Sequence, residues 1–101
     1  MDMELGGEVK VSPMSKEQIF YKVCDIMKNE AMVDMDTEIR MATLMTEQLG
    51  MDSLDYADLA KEIEREFGIY IPDDDFCKMN TYSVGVLCNV IERELEKKTN
   101  N

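Results

Sequence analysis

Residues 49–76, LGMDSLDYADLAKEIEREFGIYIPDDDF, contain a complete helix with its start and stop signals. Asp52-Ser53 offers side-chain oxygens suited to capping a helix start, and Gly68 suits the left-handed position just past a helix end. Between them Leu59, Ala60, Ile63 and Phe67 recur at i, i+1, i+4 and i+8, one apolar face of an amphipathic helix. The opposite face carries Asp55, Asp58, Glu62, Glu64 and Glu66, interrupted by Lys61 and Arg65. After the glycine, Pro72 holds Ile71 in extended backbone. Asp73, Asp74 and Asp75 then suit the first turn of a short further helix, where the dipole favours acids.

The same periodicity recurs on either side. In SKEQIFYKVCDIMKNE (15–30), Ser15 and Gln18 form a capping box. Ile19, Phe20, Val23, Ile26 and Met27 make one face of about four turns. After Ser83, residues Val84, Leu87, Cys88, Ile91 and Leu95 recur at i, i+3, i+4, i+7 and i+11, and Lys97 and Lys98 fall where the dipole favours cations. The 30–50 connection is rich in Met, Ile and Leu, too long and too apolar for an unstructured link. It is expected to contain a helical turn and to pack back as an ordered loop. No strand pattern or internal repeat is visible. The expected fold is all-α: a small four-helix bundle of three main helices and one short one, over residues 15–98, preceded by a tail at 1–14.

The chain has 101 residues, enough for one small domain. Twenty-two acids against eleven bases leave a net charge of −11. Nucleic acid and anionic membranes are therefore disfavoured as partners, and basic protein surfaces are favoured. Cys24, Cys77 and Cys88 are odd in number and lack CxxC spacing; they read as reduced thiols filling helix faces in a cytoplasmic protein. The N-terminus resembles neither a signal nor a transit peptide, and no segment reaches the roughly 18 apolar residues of a membrane span.

Histidine is absent. That removes the Ser-His-Asp triad, histidine-based zinc sites and the usual general base. Asp34, Asp36 and Glu38 open a calcium-loop pattern, but Ile39 and Met45 stand where the loop needs its glycine and its bidentate glutamate. Asp73-Asp74-Asp75 would draw divalent ions only weakly, so no metal site is assigned.

Ser53 has three readings. It can cap the helix. It can be a nucleophile, although Asp55 stands where the GxSxG elbow needs its second glycine. It can also be a modification site: helix-start N–H groups favour an attached phosphoryl group, while Asp52 and Asp55 oppose it. Local electrostatics leaves the choice open.

The stretch resembles the acyl carrier proteins of fatty acid and polyketide synthesis. The family's run is present as Leu49-Gly50-Met51-Asp52-Ser53-Leu54, followed at the family's spacing by Phe67 and Ile71-Pro72-Asp73. The likeness extends more loosely over Lys16 to Glu96. It implies a carrier and not an enzyme, with Ser53 as the attachment point for phosphopantetheine, installed by a phosphopantetheinyl transferase. An acyl group would ride on the arm as a thioester, delivered to basic-surfaced synthesis enzymes by a monomeric protein. The resemblance makes Asp52, Asp55, Asp58, Lys61, Glu62 and Glu64 the partner-binding residues, and Leu54, Leu59, Ile63, Ile71 and Val84 the lining of an acyl cavity. Carriers of aminoacyl or D-alanyl groups, and unmodified interaction modules, share the same fold. The chain departs from the family pattern at Lys61, where an apolar residue is usual, at Arg65, where an acid is usual, and at Tyr82-Ser83, interposed before the Val-Gly pair.

Overall fold

The computed structural model describes residues 14–100. Four helices follow in order: α1 (Lys16–Asn29), α2 (Ser53–Phe67), α3 (Asp73–Lys78) and α4 (Val84–Asn100), with a 3₁₀ turn at Met79–Thr81 between the last two. The only extended pairing among the described residues is an isolated bridge, Leu44 with Ser83. The architecture is the expected bundle. The tail expected at 1–14 lies, apart from Met14, outside the described residues.

Each apolar stripe becomes a core face. Ile19, Val23 and Met27 of α1 are fully buried, with Leu59 and Ile63 of α2 and Val84, Leu87, Cys88 and Ile91 of α4. α1 lies along α4 and also meets α2. Lys22 Nζ reaches Glu66 across the α1–α2 seam at 3.0 Å. Cys77 differs from its expected place: it is exposed, whereas Cys24 and Cys88 are buried. Burial pushes their thiols up to about 11 and about 12, which keeps them protonated at neutral pH.

The helix ends follow local chemistry. Ser15 accepts from the Gln18 N–H while Gln18 accepts from the Ser15 N–H, so the capping box forms. Gly68 ends α2 at φ 67°, and Lys98 Nζ donates to its carbonyl at 2.8 Å. The end of α1 has no glycine. The Met32 N–H bonds the Met27 carbonyl and the Ala31 N–H the Lys28 carbonyl, a Schellman closure that forces Ala31 to φ 60°. A side chain in that region is strained by roughly 1–2 kcal/mol. Ala31→Gly is therefore expected to stabilise the protein by about 1 kcal/mol, read as a rise in urea midpoint at unchanged slope. A fall in midpoint would show that the added freedom of the unfolded chain outweighs the strain.

The 30–50 connection is an ordered loop, as expected. Its helical turn appears as two i→i+4 bonds, Leu44 O to Gln48 N and Thr46 O to Gly50 N, too few to make a helix. The loop completes the start of α4. The carbonyls of Thr43 and Met41 accept from the Val84 and Gly85 N–H groups, and Ser83 Oγ accepts from the Val86 N–H. These are donors that a helix start cannot satisfy itself. The approach is close enough that a Cβ on Gly85 would stand 2.9 Å from the Met41 carbonyl oxygen. Tyr82 and Ser83, the interposed pair, thus have structural work: Ser83 caps α4, and the Tyr82 hydroxyl donates to Asp75 of α3.

Candidate functional site

α2 begins with a reciprocal box in which Asp52 accepts from the Asp55 N–H at 3.0 Å and Asp55 accepts from the Asp52 N–H at 3.1 Å. Asp52, not Ser53, is therefore the N-cap. Ser53 is the first helical residue, exposed, and its hydroxyl has no hydrogen bond among the described residues. The capping reading of Ser53 fails on this geometry, because its neighbour already fills the role. The hydroxyl bonds no base among the described residues and the chain has no histidine, so the geometry gives the nucleophile reading no support.

A cleft of about 350 Å³ opens beside Ser53. The 30–50 loop and the residue after it supply Thr46 and Met51, the start of α2 supplies Asp52, Ser53 and Tyr56, and Phe76, Cys77 and Asn80 close it from α3 and the 3₁₀ turn. α3 is tied down from behind. Asp75 accepts from Arg93 of α4 at 2.6 Å and from the Tyr82 hydroxyl at 2.9 Å. Burial alone would raise the Asp75 carboxyl, but these two donors hold it below the ordinary carboxylate range. Asp73 accepts instead from Tyr70. The three aspartates therefore diverge, and among the described residues no acidic group is gathered to hold a metal.

The residues expected to line a cavity are placed apart from this cleft. Leu54 is 75% exposed, one helical step round from Ser53, while Leu59, Ile63, Ile71 and Val84 are buried in the core. Of those expected to meet partners, Asp52 and Asp55 form the box and Glu62 pairs with Arg65. Glu64 turns inward to accept the Ile71 N–H at 2.9 Å, fixing the extended segment after α2. Asp58 and Lys61 are exposed and unpaired among the described residues. Tyr56 was not among the expected site or core residues. It lies three residues before Leu59 on the same stripe, a spacing that would have identified it.

The surroundings of Ser53 suit a phosphate-linked arm: a free, exposed hydroxyl on the first turn of a helix, where N–H groups and the dipole favour negative charge.

The family model for the phosphopantetheine attachment site matches residues 22–91. The acyl carrier protein of Thermotoga maritima is 37% identical over 81 residues, covering 80% of this chain and 96% of that protein. That of Clostridium acetobutylicum is 38% identical over 79 residues, 78% of this chain and 99% of the relative. That of Chlorobium phaeobacteroides is 40% identical over 68 residues, 67% and 86% of the two chains. The chain belongs to the acyl carrier protein family. It is a carrier rather than an enzyme, and phosphopantetheine is its cofactor. No helix among the described residues is long and apolar enough to cross a membrane.

Proposed function

We propose that Ser53 is the attachment residue and that the domain at 15–98 works in the cytoplasm, presenting acyl groups to fatty acid or polyketide-type synthesis enzymes. The observation that carries this is the free, exposed Ser53 hydroxyl at the first position of α2, with Asp52 taking the cap. When attached, phosphopantetheine supplies a thiol on which the acyl group is held as a thioester. The chain's own part is to hold the serine rigidly at a helix start and to offer a cleft beside it. Incubation with coenzyme A, Mg²⁺ and broad-range phosphopantetheinyl transferases should add one phosphopantetheine by mass. A wild-type chain left unmodified by several such enzymes would overturn the assignment.

The outer face of α2 is the docking surface in this reading. Asp58 is exposed and free to pair with a partner's cation, while Asp52, Asp55 and Glu64 keep their charge on backbone N–H groups and add to the steering, and Glu62 is paired with Arg65. The exposed Leu54 supplies an apolar contact next to the serine. Lys61 opposes a basic surface and selects among partners more than it attracts them. Asp58→Lys is expected to slow phosphopantetheine transfer about tenfold at low salt, through the association rate, with the difference shrinking as salt is added. Equal rates for the two proteins at low salt would remove Asp58 from the docking surface.

A further inference from the structure

The cleft beside Ser53 touches the core at Met51 and Tyr56 but does not reach Leu59 or Ile63, and a hydrogen-bond relay lies at that boundary. The Thr46 hydroxyl lies 2.6 Å from the Tyr56 hydroxyl and 2.9 Å from the Asn80 carbonyl oxygen. A carbonyl can only accept, so the single Thr46 proton goes to Asn80. Tyr56 must then be the donor to Thr46. The relay runs from Tyr56 through Thr46 to Asn80 and ties the start of α2, the 30–50 loop and the 3₁₀ turn together. Thr46 and Tyr56 both line the cleft, yet Tyr56 is only 5% exposed. Thr46 and Asn80 are exposed, so the relay runs from the buried tyrosine out to the surface, and every donor in it is satisfied.

Position along α2 gives the relay its meaning. Tyr56, Leu59, Ala60 and Ile63 fall at i, i+3, i+4 and i+7, one stripe running from the cleft into the core. Leu59 and Ile63 are fully buried and do not line the cleft. Tyr56 is the residue between them and Ser53. An acyl chain extending from the cleft along α2 meets the tyrosine ring first, and that ring is fixed by Thr46.

We infer that Tyr56, latched by Thr46, is a specificity-determining residue that closes the cleft against the core, so that the protein shelters short acyl chains and leaves long ones exposed. The inference rests on Ser53 as the origin of the arm. It concerns cargo length, which the attachment reading leaves open. Tyr56→Phe removes the donor and keeps the ring; Thr46→Val breaks the same bond from the other side.

Chemical loading separates this test from the action of any transferase. In a Ser53→Cys, Cys77→Ser background the introduced thiolate displaces bromide from bromoacetylated pantetheine whose sulfur carries a butyl, octyl or dodecyl group, leaving a thioether. Cys24 and Cys88, buried with thiols raised to about 11 and about 12, remain unreacted. Each loaded protein is compared in thermal midpoint with its own unloaded form. With the latch intact, octyl and dodecyl arms are expected to raise the midpoint no more than butyl does. With Tyr56→Phe or Thr46→Val, the rise should grow from butyl to octyl to dodecyl. A rise that grows with length in the unaltered background, or profiles unchanged in both variants, would overturn the inference. Failure of transferases to modify the natural chain would bear on Ser53 alone.

Discussion

Ser53→Ala is expected to take up no phosphopantetheine and to unfold within about 0.5 kcal/mol of the wild type. The two halves of this result have separate causes. The hydroxyl is the only part of the side chain that can form the phosphodiester, so its loss ends modification. The same hydroxyl has no hydrogen bond within the described fold, and alanine is at least as good a helix former at an exposed position. Asp52→Ala behaves differently. It leaves the Asp55 N–H without its acceptor and opens the box, at a cost of about 1 kcal/mol. Mass measurement after transferase treatment and paired urea melts check both halves. If Ser53→Ala were as destabilising as Asp52→Ala, or still gained the arm, the division of labour between these neighbours would be wrong.

Ile63→Ala is expected to unfold much of the protein at low ionic strength and to be rescued by salt. Ile63 is fully buried on α2, facing the common core, and such truncations cost about 2–5 kcal/mol. A domain of this size has only about 0.05–0.15 kcal/mol per residue in reserve. Here twenty-two acids against eleven bases add self-repulsion. Salt acts in two directions: it weakens pairs such as Lys22–Glu66 and Arg93–Asp75, and it screens repulsion among the excess carboxylates. With acids twice as numerous as bases, screening dominates, so the thermal midpoint rises from low to physiological ionic strength, and further with Mg²⁺. The far-UV circular dichroism of Ile63→Ala across a salt series reads this directly. A midpoint that stays level or falls with salt would mean that the pairs outweigh the repulsion.

The residues proposed to set cargo length and steering face in opposite directions from the same helix. Tyr56 lies on the inner stripe of α2, while Asp58 lies on its outer surface. Two residues of rise separate them, and about 200° of helical turn. One short segment can therefore hold the attachment point, guard the cleft and face the partner.

What could be read from the chain alone was what depends on neighbours within one helical turn. The Ser15–Gln18 box, the stop at Gly68 and the stripes of α1, α2 and α4 all formed where spacing placed them, because capping and amphipathicity involve residues three or four apart. The position of Ser53 at a helix start was legible for the same reason. Its role was not: whether Asp52 or Ser53 takes the cap depends on which side chain meets the Asp55 N–H. Tertiary structure decided the rest, through contacts distant in sequence. The 30–50 loop has order because its carbonyls are the missing acceptors for α4, some forty residues away. Ala31 is left-handed because the chain must turn there, although no glycine marks the place. Glu64 faces inward because the Ile71 N–H needs an acceptor, and Tyr56 is buried rather than a surface aromatic, its hydroxyl bonded to Thr46 of the folded-back loop. A polar side chain has no fixed address in the sequence; its direction follows the partner that folding brings within hydrogen-bond reach.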